Sequence, residues 1–249
     1  MFLEILFIAL GLVFGSFFTA FSFRFPKGIS IVSGRSYCPK CKHKIAWYDN
    51  VPVLSFLFLR GRCRNCTKHI SWRYPLIEIT TALGFLLIWQ KFSFEYIPLF
   101  TYLVVFSILI LIFIIDLEHQ IIPDYLTFSG MVFYLLFFSL LSTTHSLYSD
   151  LLAGFASASF LLLINLFTKG RGMGLGDVKF AVMGGIIIGL KFSPIWLFLS
   201  FLTGGVAGII LILLGRAALK DRVAFGPFLI TGLLLTFVLG SKLLSFLGF

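Results

Sequence analysis

Two aspartates stand where apolar runs begin or end. Asp116 closes the run from Tyr102 to Ile115, and Asp177 ends Gly170-Arg171-Gly172-Met173-Gly174-Leu175-Gly176-Asp177, just before another apolar run. A carboxylate at the edge of hydrocarbon is costly enough that function is the default reason for its presence. Two carboxyls sharing one proton can activate a water and then protonate a leaving amine, because like charges about 3 Å apart cannot both ionise. The chemistry that suits such a pair is hydrolysis of a peptide bond. Taken alone, Asp177 also reads as a helix cap after glycines, and Asp116 as a solvated interfacial acid. Capping does not account for Asp116, which falls at the C-terminal end of its run.

The alternate glycines 170, 172, 174 and 176 let another backbone come close. An extended peptide could lie there, which makes Gly174 and Gly176 candidate substrate contacts. Between the two runs, Glu118 and Asp124 form an acidic connection where the other segments on the same, cytoplasmic, side are basic. They are further candidates for substrate contact, and Asp124, following Pro123, also reads as a helix cap.

A second constellation is made of cysteines. All four fall in Cys38-Pro39-Lys40-Cys41 and Cys63-Arg64-Asn65-Cys66, with 21 residues between the pairs. Two C-x2-C knuckles at this separation offer four thiolates to one tetrahedral zinc, a closed structural site with no position left for substrate water. Lys40, Lys42, Lys44, Arg62 and Arg64 would offset its negative charge. Paired disulfides are the bland alternative, and a reducing compartment argues against them. His43 and His69 read as solvated surface histidines rather than ligands.

The elements that must position these residues are membrane helices. The chain has 249 residues, 59% hydrophobic and 12% charged, with a mean hydropathy of +1.04, which excludes an ordinary soluble globule. The expected fold is an all-α polytopic membrane bundle of about eight transmembrane helices with a small cytoplasmic zinc-binding insert. The expected spans lie near residues 2–23, 75–90, 97–115, 125–142, 148–167, 178–190, 195–214 and 226–247. Pro123, Pro194 and Pro227 sit at their entrances, where proline suits a helix. The domain plan is a first helix over 1–23, a basic four-cysteine insert over 24–74, and a seven-helix block over 75–249. The first span opens with Glu4 and lacks a small-residue cleavage site, so it is expected to stay in the mature chain.

Charge sets the orientation. Residues 24–75 hold eleven Lys or Arg against the single acid Asp49, and connections 168–179 and 215–222 hold three each, whereas the alternate side carries only Lys91, Lys191 and Lys242. The positive-inside rule then puts the N-terminus outside and the insert, Asp116 and Asp177 at the cytoplasmic face. The net charge of +10 fits attraction to anionic membrane lipids and gives no reason to expect nucleic acid.

In order along the chain, these residues resemble the type IV prepilin peptidases, bifunctional membrane aspartic proteases of the GxGD class. Gly15-Ser16-Phe17 through Arg24-Phe25-Pro26 is similar to the family's opening segment. The knuckles follow, with Trp47-Tyr48-Asp49-Asn50 and Leu59-Arg60-Gly61-Arg62 between them and Trp72-Arg73-Tyr74-Pro75 through Glu78 after them. Asp116 through Asp124 resembles the first catalytic aspartate motif, Gly174-Leu175-Gly176-Asp177-Val178-Lys179 resembles GxGDxK, and Phe225-Gly226-Pro227-Phe228 resembles FGPF. One departure is Thr19, where the family usually has Asn. A hydroxyl cannot reproduce the two-sided hydrogen bonding of an amide.

The resemblance implies a multi-pass protein of the bacterial cytoplasmic (inner) membrane. It implies cleavage of a short basic leader from prepilins or pseudopilins by Asp116 and Asp177, zinc on Cys38, Cys41, Cys63 and Cys66, and N-methylation of the new terminus with S-adenosylmethionine as methyl donor. The basic insert is a poor partner for a basic leader, so Glu118 and Asp124 are expected to meet the leader's cations while the insert meets lipid headgroups. The rival reading is a cation-coupled transporter using the two aspartates. Its weakness is that both lie near one face and not at the midplane.

The charge asymmetry predicts that reporters fused within the insert are active only in the cytoplasm and that a tag at the N-terminus is reached only from outside. The opposite pattern from both reporters would overturn the orientation.

Overall fold

The computed structural model describes residues 2–25, 28–30, 36–139, 146–216 and 223–246. Pro26, residues 140–142 and 247 of the expected spans, and the cations Lys27, Arg35, Lys220 and Arg222 lie outside the described residues. Among the described residues the chain is helical, and its only β-type pairings are the isolated bridges Tyr37 to Lys44 and Arg62 to His69. The helices are α1 (Phe2–Arg24), α2 (Leu54–Phe58), α3 (Arg73–Phe92), α4 (Tyr96–His119), α5 (Asp124–Tyr134), α6 (Leu147–Phe167), α7 (Leu175–Ile188), α8 (Ser193–Leu213) and α9 (Gly226–Phe246). α5 runs on into one π-helical turn, Leu135–Ser139.

All eight expected spans meet a helix, and crossing a bilayer asks for length and apolar composition as well. Five are long and apolar enough: α1, α4, α6, α8 and α9. α7 has 14 residues, which at 1.5 Å per residue reaches about 21 Å against a hydrocarbon core of about 30 Å. α5 is also short, and α3 carries Arg73, Glu78 and Lys91 within its 20 residues. The count of eight crossing helices is therefore not established by helix length and composition. The expected prolines sit as sequence chemistry requires: Pro123 at the N-cap of α5, Pro194 in the first turn of α8 and Pro227 in the first turn of α9.

The chain divides into two compact units, Met1–Leu111 and Ile112–Phe249, with the boundary inside α4. In the first unit α1 packs along α3 at backbone contact distance. A Cβ on Gly11 would lie 2.5 Å from the Ala82 Cα, and one on Gly15 would lie 2.7 Å from the Glu78 Cα. Two small residues four apart thus make the seam, as in membrane helix pairs generally. Phe7 stacks on Trp89 at 4.6 Å beside it. The insert is tied to this seam by buried polar groups. The Val53 N–H donates to Glu78 Oε2 at 2.8 Å, and Arg73 Nη2 donates to Ser22 Oγ at 2.7 Å.

In the second unit α7 is the hub, packing against α5, α6, α8 and α9. Beyond Lys179 it is apolar on every side, and Phe180, Ala181, Met183, Gly184, Gly185, Ile186 and Ile187 are all buried. A helix of that kind belongs inside a bundle. Gly185 lies against the Ala153 carbonyl and Gly154 of α6, and the Trp196 indole of α8 covers Gly184. The Gly185 and Gly204 faces are thus used within the chain's own packing, Gly204 lying against Phe225 and Phe228, while Gly208 meets nothing within 4 Å.

Candidate active site

Both aspartates lie in the second unit, and the fold brings them together from opposite helix ends. α4 runs past its apolar stretch to His119, so Asp116 falls in the last turn and its carbonyl accepts the Gln120 N–H at 2.9 Å. α7 begins at Leu175, three residues earlier than expected, so Asp177 occupies the third position of its first turn. There Asp177 Oδ2 accepts the N–H of Gly174, the N-cap residue, at 3.1 Å. This is the backward half of a capping box. The capping role weighed for Asp177 and a chemical role are therefore not exclusive.

Asp116 is 4% exposed and Asp177 8% exposed, and the two carboxyls interact electrostatically. Ile122 lies against Gly176 of α7 and Gly226 of α9. A Cβ at Gly176 would lie 3.3 Å from the Ile122 Cβ, and a Cβ at Gly226 would lie 3.0 Å from the Ile122 Cδ1 and 2.5 Å from Asp116 Oδ2. The Gly226 backbone N–H faces the Asp116 carboxylate, whose Oδ2 is buried without a hydrogen bond of ordinary geometry. The start of α9 thus supplies bare backbone where any side chain would collide with the acid. Gly226 was legible only as part of a motif, because nothing local marks which carboxylate it serves.

The other candidates have mixed placements. Gly174 is exposed and Gly176 half-buried, both beside Asp177. Asp124 accepts two hydrogen bonds from Lys179 Nζ, at 2.7 and 2.9 Å, joining the start of α5 to α7. Glu118 is exposed on α4 and lies 3.9 Å from the His119 Nε2. Gln120, Ile121, Ile122, Pro123, Asp124, Gly176 and Lys179 line an open groove of about 440 Å³ along this edge.

The cysteines form a separate cluster within the first unit. All four Sγ atoms lie within 4.8 Å of one another, with Cys38 Sγ and Cys66 Sγ 3.9 Å apart. Ligands at about 2.3 Å around a tetrahedral zinc stand roughly 3.8 Å apart, so the donor set fits such an ion. Neither His43 nor His69 is part of the cluster.

The knuckles repeat each other position by position. Cys38 N–H bonds the His43 carbonyl and Cys63 N–H that of Lys68; Lys42 N–H bonds the Cys38 carbonyl and Thr67 N–H that of Cys63. Lys42 and Thr67 both take positive φ, 58° and 56°. The strain of that conformation for a β-branched Thr is tolerated because the turn must present both sulfurs inward. Arg64, expected to offset thiolate charge, instead forks onto Asp49, with Nη2 to Oδ1 at 2.7 Å and Nε to Oδ2 at 2.8 Å. The bonded carboxylate holds the guanidinium pKa above its usual value.

Thr19 is buried, but its hydroxyl donates to the Ser16 carbonyl of its own helix at 2.7 Å. Glu78 was quoted for the resemblance and assigned no role, yet it accepts hydrogen bonds from the Val53 backbone and the Ser16 side chain. A buried acid in an apolar helix was the signal for it.

Comparison with known proteins covers nearly the whole chain. A family model described as the bacterial peptidase A24 N-terminal domain matches residues 9–92, and one described as the type IV leader peptidase family matches residues 103–209. A Bacillus subtilis (strain 168) protein named prepilin leader peptidase/N-methyltransferase is 34% identical over 98% of this chain and 97% of its own. Proteins of the same name from Legionella pneumophila and Vibrio cholerae are each 35% identical, over 86% and 79% of this chain and 76% and 81% of theirs. No solved structure matches.

Gly226→Ala forces a methyl group onto Asp116 and should destabilise the folded protein by about 1–3 kcal/mol, read as a lower thermal midpoint in detergent. Adding Asp116→Ala should return more than half of that loss, because the two sites share one contact. Simple additivity of the two substitutions would show that the collision is not with Asp116.

Proposed function

We propose that this chain, which belongs to the type IV leader peptidase family, is a membrane aspartic endopeptidase that removes the leader of prepilins or pseudopilins and methylates the new N-terminus. The carrying observation is the convergence of two buried carboxylates from the end of α4 and the start of α7. A transporter gains no support from the three relatives named above, each of which bears the peptidase name.

The residues divide the work as follows. The Gly174 N–H fixes the orientation of Asp177, while Asp116 Oδ2 retains acceptor capacity for a shared proton or the attacking water. One carboxylate takes the proton of the water as it attacks the scissile carbonyl. The other, protonated, donates to that carbonyl oxygen. As the tetrahedral centre collapses, the first carboxyl gives the proton it took from the water to the leaving amine and the second takes back the hydroxyl proton, which restores the starting pair. Asp116 and Asp177 titrate as one unit in this cycle. The leader lies in extended form across Gly174 and Gly176, with its cations toward Glu118 and Asp124, and Lys179 releases Asp124 when a substrate cation replaces it.

Cys38, Cys41, Cys63 and Cys66 bind zinc, which closes the two knuckles into one structural unit and takes no part in hydrolysis. S-adenosylmethionine is the methyl donor by family membership, and no described residue is assigned to it. The protein resides in the bacterial inner membrane with its N-terminus outside, so that the insert and both aspartates face the cytoplasm, where anionic lipids meet the insert's lysines and arginines.

Mass spectrometry of a prepilin N-terminus after incubation with the enzyme should show both shortening and methylation. Asp116→Asn and Asp177→Asn should each lower the shortening roughly 10³-fold or more, with the zinc content unchanged; efficient cleavage by either variant would overturn the dyad. In the same assay, charge reversal at Glu118 and Asp124 together should weaken processing of a basic leader and spare a neutral one. Equal effects on the two leaders would remove these residues from recognition. Metal analysis should find one zinc per chain, lost in Cys38→Ser and Cys66→Ser together with the insert's resistance to proteolysis. A metal-free insert of full resistance would rule the zinc assignment out.

A further inference from the structure

The loop before Asp177 is governed by a residue outside every motif. Asn165 lies in the last turn of α6, and its Nδ2 donates to the Met173 carbonyl at 2.6 Å. That carbonyl belongs to the peptide unit joining Met173 to Gly174. The N–H of the same unit is the one that donates to Asp177 Oδ2 at 3.1 Å. One peptide plane is therefore gripped on both sides, by an amide on its oxygen and by the aspartate on its hydrogen.

The grip is not needed to finish α6. Thr168 N–H already bonds the Ile164 carbonyl, and Gly170, at φ 74°, donates its N–H to the Asn165 carbonyl at 2.8 Å. Lys169, at φ 52°, adds a bond from its N–H to the Leu166 carbonyl at 3.1 Å, so backbone bonds close the helix and the Asn165 side chain is left over for the loop. Nor does the backbone of Gly174 enforce the orientation, since φ −79° and ψ 150° are open to any residue. A peptide flanked by a glycine rotates easily, and a flip would turn the carbonyl toward the Asp177 carboxylate in place of the N–H. Thr168 Oγ1 steadies the preceding stretch by accepting the Gly172 N–H at 3.0 Å, and Met173 is buried.

We infer that Asn165 is a positioning residue for peptide cleavage: by holding the Met173 carbonyl, it keeps the Gly174 N–H aimed at Asp177. A donor on the carbonyl also polarises the peptide, which strengthens the bond its N–H makes on the other side. The inference rests on Asp177 being one of the catalytic pair.

The decisive variant is Asn165→Asp, which keeps the shape of the side chain but, once ionised, offers only acceptors to the Met173 carbonyl. In this variant kcat for leader removal should fall about 10- to 100-fold, with KM within about twofold, because the misplacement affects the reacting group and not the groove. The defect should shrink as pH is lowered and the introduced carboxyl regains a proton to donate. Asn165→Leu should show a defect of similar size without that recovery. Hydrogen exchange gives a second readout that does not need activity: the Gly174 amide should exchange at least about tenfold faster in both variants, while the amides of α7 beyond its first turn are unchanged.

An unchanged kcat, a change confined to KM, or an unaltered Gly174 amide would each overturn the inference. If Asn165→Leu fails to insert, Asn165→Asp alone decides. If the wild-type chain cleaves no leader, the proposed function fails while the exchange measurement still decides whether Asn165 sets the Gly174 amide.

Discussion

The second unit turns on two buried carboxyls that interact electrostatically, Asp116 at the end of α4 and Asp177 in the first turn of α7. Bare backbone is needed beside them, because a side chain at Gly226 would collide with Asp116 and one at Gly176 would crowd Ile122. Gly226 and Gly176 meet this need by leaving α9 and α7 bare where they approach Asp116 and Ile122. Ile122 then serves as the gauge: it touches both glycine positions and so couples the α4–α5 connection to both helices. The Asp177 orientation comes from a peptide N–H and not from a side chain.

The central helix is short: α7, with 14 residues, is surrounded by α5, α6, α8 and α9 and carries Asp177 in its first turn. Its all-round apolar composition beyond Lys179 records that enclosure. The glycines at 184 and 185 give up side-chain packing so that Trp196 and the α6 backbone can close on it. Trp196 in turn satisfies its buried indole N–H on the Leu229 carbonyl at 2.8 Å, which ties α8 to α9 and helps fix where Gly226 begins its helix.

In the first unit the zinc-type insert is organised from two sides. Its knuckles are two copies of one turn, held by equivalent backbone bonds and by the Arg64 fork on Asp49. Its connection to the helices is a buried acid: Glu78 stands at the Gly15 seam of α1 and α3 and accepts the Val53 N–H at a point where Val53 has φ 57°. An unfavourable backbone angle is thus placed where a buried carboxyl oxygen accepts the N–H of the same residue.

The residue types and spacing alone singled out both aspartates and the four cysteines as candidates and gave the membrane class and the positions of the helices, because each has a local signature: a carboxylate beside hydrocarbon, a doubled C-x2-C, an apolar run ended by charge or proline. Which helices are long enough to cross, where α7 begins, and why Gly226, Ile122, Glu78 and Asn165 matter were decided only by tertiary structure. Their roles consist of contacts with residues distant in sequence, from Asn165 eight positions before Met173 to Gly226 far beyond Asp116. A glycine that spares a carboxylate a collision, or an amide that aims a peptide, looks like any other glycine or asparagine until the partner it serves is beside it in space.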